Sequence, residues 1–241
     1  MMRRTKTVSW MTASALAMFL TGCCDDNNPL GVREGGAAGP GGVPLATASG
    51  FTVLAGSTVT NTGATAITGD LGVSPGTAVT GFPPGTVTGT IHAGNPTAAT
   101  AQSDLTTAYN DAAGRTVGVI AVSGDLTGLT LTPGLYKSTS SLAVSGALTL
   151  TGLGDENAVF IIQMASTLTT GPGSQVILSG GAQASNVYWQ VGTSATLGTN
   201  SIFKGTIMAD QSITVNNGAQ VEGRMLTRIG AVTLDNNIIT P

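Results

Sequence analysis

Residues 212–218 read SITVNNG: a threonine, Thr214, stands between two apolar residues, and Asn217 follows three positions later. Nineteen residues on, AVTLDNN repeats the arrangement with Thr233 and Asn236, and eighteen residues earlier SATLGTN shows it with Thr196 and Thr199. The central residue of each apolar–small–apolar triplet extends the series back to Thr169 and Ala143, at spacings of 26, 27, 18 and 19 residues. A basic rung of about 18 residues, lengthened in places by loops such as GGAQAS, predicts a solenoid with three short faces per turn. The other faces recur in register: AVFIIQM and NVYWQVG share one pattern, FKGTIMA and EGRMLT another.

Side chains alternate between the two faces of a strand. Ile213 and Val215 therefore point one way and Thr214 the other, and Val232, Leu234 and Thr233 divide likewise. The apolar partners fill the interior, so the threonines line the outside as a column, with rungs about 4.7–4.9 Å apart. Thr199, Asn217 and Asn236 are expected to form a second, parallel file, which requires a bend between the two positions. The central file carries no charge in any of its five rungs, with Asp235 the one acidic residue close to it. Stacked threonines can serve stability alone. A whole array without Lys, Arg or Glu is different, because ordinary exposed strands use those residues for solubility. β-Branching restricts each threonine to few rotamers, its methyl does not compete for water, and its hydroxyl both donates and accepts. Such a surface can hold water in a regular pattern close to the spacing of oxygens in ice.

Composition agrees with a chain of many short strands. Charged residues make up 9% and aromatic residues 4% of the 241, against 35 glycines and 38 threonines. Val, Ile and Thr favour strands, and Gly, Asn and Asp favour the turns between them. One helix is expected in PTAATAQSDLTTAYNDAAG, where Ala98, Ala101, Leu105, Ala108, Tyr109 and Ala112 form one apolar stripe. Thr97 is its expected N-cap and Gly114 its expected C-cap.

The first 22 residues read as an address: MMRRTK is basic, VSWMTASALAMFL is apolar, and LTGC follows at residues 20–23. LTGC resembles the lipobox of bacterial lipoproteins, which implies lipidation at Cys23 and a chain exported and anchored to the cell envelope, or secreted. Residues 23–47, rich in Gly and Pro, read as a flexible tether, and residues 48–241 as the folded domain. Without the leader, six basic residues face twelve acidic ones, a balance that speaks against nucleic acid or an anionic membrane surface as partner. No cysteine follows Cys24, so neither a disulfide framework nor a thiolate metal site is expected in the domain.

GDLGVSPG (residues 69–76), the helix ending in AYNDAAG, LTPGLY (131–136), AVFIIQM, NVYWQVG and GRMLT together resemble microbial ice-binding proteins with a discontinuous β-solenoid. The resemblance runs from Ser49 to Pro241. It implies an all-β triangular solenoid with a long helix alongside, and N-terminal strands that close against the C-terminal rungs. It also implies ice as the partner, bound by the flat T-x-x-T/N face, with Thr196, Thr199, Thr214, Asn217, Thr233 and Asn236 as matching residues. Thr169 matches at the first position only, because Pro172 occupies the second; Ala143, with Gly146, lacks the hydroxyl. Thr60 is a candidate N-terminal member. The matches TGAT, TAIT, TAVT and TAAT between Thr62 and Thr100 are discounted as chance in so threonine-rich a chain.

Enzymatic chemistry has little to stand on. His92 is the only histidine, which excludes a multi-histidine metal site, and its expected place in a solvated loop speaks against a His-based triad. Asp155 and Glu156 form the one adjacent carboxylate pair, in an expected loop, and Trp189 and Phe203 sit in core-like contexts. A monomer without cofactor is expected. The alternative readings are a cell-surface adhesin or carbohydrate-binding module, and a purely structural envelope protein.

Overall fold

The computed structural model describes residues 39–241, so the leader, Cys23 and the first part of the expected tether lie outside the described residues. Three parallel sheets, of nine, eight and eight strands, form the sides of the triangular solenoid. The first sheet runs in the order Ile91–Ala93, Asp70–Val73, Phe51–Ala55, Met225–Thr227, Thr206–Ala209, Val187–Val191, Phe160–Met164, Gly134–Ser138 and Val119–Ala121. The opening strand therefore lies inside the stack, between the second N-terminal rung and the last C-terminal one: Val53 pairs with both Leu71 and Met225. The solenoid is discontinuous for that reason.

A helix at Pro96–Gly114 carries the chain from one end of the stack back towards the other. Its nineteen residues span about 28 Å. It touches first-sheet strands from Ile91–Ala93 to Phe160–Met164, six rung spacings or about 29 Å apart. The stripe Ala98, Ala101, Leu105, Ala108, Tyr109 and Ala112 is buried throughout. The N-cap is Asn95 and not Thr97: the Asn95 carbonyl oxygen of the side chain accepts from the Ala98 amide, and Pro96 supplies the first helical position. At the other end the helix runs through Gly114 and Arg115 is the C-cap.

Helix cover explains the sequence of the first sheet. Its inner side contributes Phe160, Ile162, Trp189 and Ile207 to the solenoid core, and its outer side packs Leu54, Ile161, Met208 and Leu226 under the helix. Strands buried on both faces read as continuous apolar runs, whereas the other two sheets alternate. Trp189 and Phe203 pack within the core with ring centroids 5.1 Å apart. His92 lies on the strand Ile91–Ala93, not in a solvated loop: it is half-buried, edge-on to Phe51, and its Nδ1 is 2.9 Å from the Asn95 side-chain amide. Asp155 and Glu156 are exposed in a turn.

The expected tether ends earlier than residue 47. Val43 and Leu45 are buried against the helix, Thr47 donates through its amide and hydroxyl to Asp104, and Arg115 donates to the carbonyls of Gly41 and Gly42. Two aliphatic side chains in a Gly/Pro-rich stretch were enough to seat it, and the compact unit starts at Gly39. A chain starting at residue 48 loses both side chains, each worth about 1.5–3 kcal/mol of burial. Thermal unfolding should show it melting on the order of 10 °C below a chain starting at residue 39.

Candidate functional site

The second sheet is the only one of the three that places threonine after threonine in one exposed column. Its strands are Ala78–Thr80, Thr58–Thr62, Val232–Asp235, Ile213–Val215, Ala195–Leu197, Leu168–Thr170, Leu142–Val144 and Gly124–Asp125, in that order. The residues on either side of each central position turn inward: Ile213 and Val215, Val232 and Leu234, Ala195 and Leu197 are all buried. Where a polar residue takes an inward place, it caps a corner. The Thr170 hydroxyl accepts from the Gly198 amide at 2.8 Å, and the Asn61 side-chain amide donates to the carbonyls of Gly63 and Gly81.

Strand register joins the central positions into one file. Thr80 faces Thr60, Thr60 faces Thr233, Thr233 faces Thr214, Thr214 faces Thr196, and Thr196 faces Thr169. Thr169 then faces Ala143, and Ala143 faces Asp125. Thr60, Thr80, Thr169 and Thr233 are exposed, while Thr196, Thr214 and Ala143 are half-buried between their neighbours. Thr80 belongs to TAVT, one of the matches discounted as chance. Its inclusion follows from the N-terminal rungs stacking beneath the last C-terminal one, which the spacing of the later repeats does not reveal.

The second file differs from the expected one. Thr199 and Asn217 are neighbours, since the Asn200 amide donates to the Asn217 carbonyl, and both lie in the turn that follows the strand. The residue beside Asn217, however, is Asp235 and not Asn236: the Gly218 amide donates to the Asp235 carbonyl. Val215 faces Leu234 but Gln220 faces Ile238, so the last rung turns the corner with one residue fewer. Asn237 repairs the shortening. Its side chain accepts from the Asp235 amide at 2.7 Å and donates to the carbonyls of Asn216 and Ala219. Thr62 faces Asp235 and extends this file.

Asn236 joins a different column. Gly63, Asn236, Gly218, Asn200 and Gly173 follow one another around the corner, all left-handed, with φ of 80°, 52°, 73°, 55° and 66°. Gly and Asn are the residues that take this conformation at low cost, so Asn200 of GTN, Gly218 of NNG and Asn236 serve the bend. Gly198 is glycine for a different reason: a Cβ there would stand 2.4 Å from the Gly171 carbonyl carbon and oxygen on the next rung.

A third file lies two residues before the threonines and was missed. Thr58, Ala231, Ser212, Ser194, Thr167 and Ser141 follow one another along the stack, and several grip the next rung. The Ser212 hydroxyl accepts from the Ala231 amide at 3.2 Å, Ser194 from Ser212 at 3.3 Å, and Ser141 from Thr167 at 3.3 Å. The period-2 alternation of a strand was signal enough to find them.

The central file is uncharged up to Asp125 at its end, and the one carboxylate beside it is Asp235, in the second file between Thr62 and Asn217. Hydrogen bonds from Ser145 and Thr127 hold the Asp125 carboxyl well below the usual carboxylate range. Its contribution to stability is thus complete above about pH 4 and is lost only as the pH falls through that depressed value. The third sheet contrasts with this one, since it pairs Lys204 with Glu222 and exposes Ile177 and Ile238. Among the described residues no group of three or more potential metal ligands is found.

Residues 53–240 match the family model described as Ice-binding-like. An ice-binding protein of Nostoc sp. (strain HG1) is 50% identical over 197 residues, covering 81% of this chain and 73% of that protein. One of Colwellia sp is 38% identical over 221 residues, 84% of this chain and 85% of that protein. The crystal structure of an ice binding protein from an Antarctic biological consortium superposes with a TM-score of 0.83 at 56% identity, over 87% of this chain and 95% of that one. That of the ice-binding protein from the ascomycete Antarctomyces psychrotrophicus gives 0.80 at 42% identity, over 83% and 98%.

The left-handed column supplies a stability test. Asn200→Val forces a β-branched residue into that conformation and should cost about 1–3 kcal/mol in urea unfolding. Asn200→Gly should leave the midpoint close to that of the parent.

Proposed function

The chain belongs to the Ice-binding-like family, a family of ice-binding proteins and not of enzymes, and from that premise we propose that it binds ice through its threonine sheet and so inhibits ice growth and recrystallisation. The observation that carries this reading is the uninterrupted column Thr80–Thr60–Thr233–Thr214–Thr196–Thr169. Each hydroxyl adds a hydrogen bond worth about 0.5–1.5 kcal/mol net. Six in one rigid file, held at the rung spacing by main-chain hydrogen bonds, act together on a periodic partner. Little side-chain entropy is lost on contact, because β-branching has already limited the rotamers. Thr199 and Asn217 extend the contact on one side as far as Asp235, with Thr62 beyond it, and Ser194 and Ser212 extend it on the other. Ala143 and Asp125 end it.

The leader reading complements this one: Cys23, lipidated after cleavage, would place a monomeric domain on the outside of the cell envelope.

Ice growth in a cooled solution of residues 39–241 tests the reading. The parent should facet crystals and open a gap between melting and freezing. Thr214→Tyr should lose most of that gap while its unfolding free energy stays within about 0.5 kcal/mol of the parent. A Thr214→Tyr chain that unfolds, or keeps the full gap, removes this face from the reading. The gap should also be flat from about pH 5 to 8, since the sole histidine, His92, sits on the first sheet and Asp125 stays ionised there. A gap that changes across that range would count against this face.

A further inference from the structure

The chain enters the fold at the edge farthest from the threonines. In a three-sided solenoid each sheet lies opposite the corner shared by the other two. Gly39 sits against Pro133, in the link from the third-sheet strand Thr130–Leu131 to the first-sheet strand Gly134–Ser138. It also adjoins the Val159 carbonyl, just before Phe160–Met164. That corner joins the third sheet to the first and is opposite the second. Residues 39–50 then follow the same edge along the stack: Gly42 lies beside the Tyr188 hydroxyl, and the Ser49 carbonyl accepts from Arg224 Nε at 3.0 Å. Buried Val43 and Leu45, and the Arg115 contacts to Gly41 and Gly42, fix the course of this segment. The long connections, residues 152–159 and 180–186, also occupy this corner. The corners that border the threonine sheet are shorter turns than these connections.

We infer that the N-terminal segment holds the domain from behind, so that a chain fixed by its N-terminus to a lipid surface presents the threonine sheet outward and bridges that surface to ice. This rests on the ice reading above and adds adhesion of a surface to ice as the role. A domain of some 200 residues has a radius of gyration of roughly 17 Å, so the side of attachment decides what its threonine sheet meets. Attachment at the threonine side would press that sheet against the lipid surface.

Vesicle capture by ice tests the inference. Residues 24–241, with Cys24 as the sole thiol, are coupled to fluorescent phosphatidylcholine vesicles bearing a maleimide lipid. A second chain carries Cys24→Ser and Ser57→Cys, which moves the attachment to an exposed corner at the start of the threonine sheet. Slowly growing ice should take up the N-terminally coupled vesicles at least tenfold over bare vesicles, and the Ser57→Cys-coupled ones no better than bare. Exclusion of the N-terminally coupled vesicles, while the uncoupled chain still shapes ice, overturns the inference, as does equal capture by both couplings. An uncoupled chain that fails to shape ice overturns the ice reading itself.

Discussion

Parallel stacking of successive rungs, with main-chain hydrogen bonds running along the solenoid, is the constraint on which the rest depends. With no cysteine after Cys24, the domain is held by these bonds and by the side chains they bring into the interior. Register makes each sequence position a column. One inward position gives a row of core residues such as Leu197, Val215 and Leu234, and the position beside it gives a row of threonines. A local departure therefore propagates unless it is absorbed where it arises. The shortened corner of the last rung is such a departure, and the three hydrogen bonds of the buried Asn237 side chain absorb it. Beyond that corner the third-sheet strands pair again, Ile238 facing Gln220 on one side and Ala66 on the other.

The three sheets solve different problems with the same backbone. The first is apolar on both faces because a helix and residues 39–50 cover it, burying Leu54, Ile161, Met208 and Leu226. The third carries a mixed surface in which Lys204 and Glu222 pair. The second has neither cover nor charge along its centre. Threonine tolerates that exposure, since its hydroxyl is solvated and its branched Cβ favours the strand. That face stays bare while helix cover supplies burial on the first sheet and the long connections 152–159 and 180–186 leave from the opposite corner.

The repeat from Ala143 to Thr233 was legible because each of those rungs is followed in sequence by its neighbour in space. Period-2 alternation identified which residues turn inward, and the apolar stripe from Ala98 to Ala112 identified the helix. Both signals are local, so neither needs the rest of the fold. The same locality explains what was misread. Thr97 has the right chemistry for an N-cap, but Pro96 already begins the helix, so Asn95 caps it. Val43 and Leu45 look incidental among glycines and prolines until the groove beside the helix is known.

Sequence by itself determined the three-sided solenoid, the outward threonines of the later rungs and the uncharged character of their central file, because spacing and alternation are carried by neighbouring residues. Tertiary structure alone decided that Thr80 joins Thr60 in the file, that Asp235 replaces Asn236 beside Asn217, and that residues 39–47 belong to the domain. Each of these depends on contacts between segments far apart in the chain, whose register is set by hydrogen bonds and packing and leaves no periodic trace in the sequence.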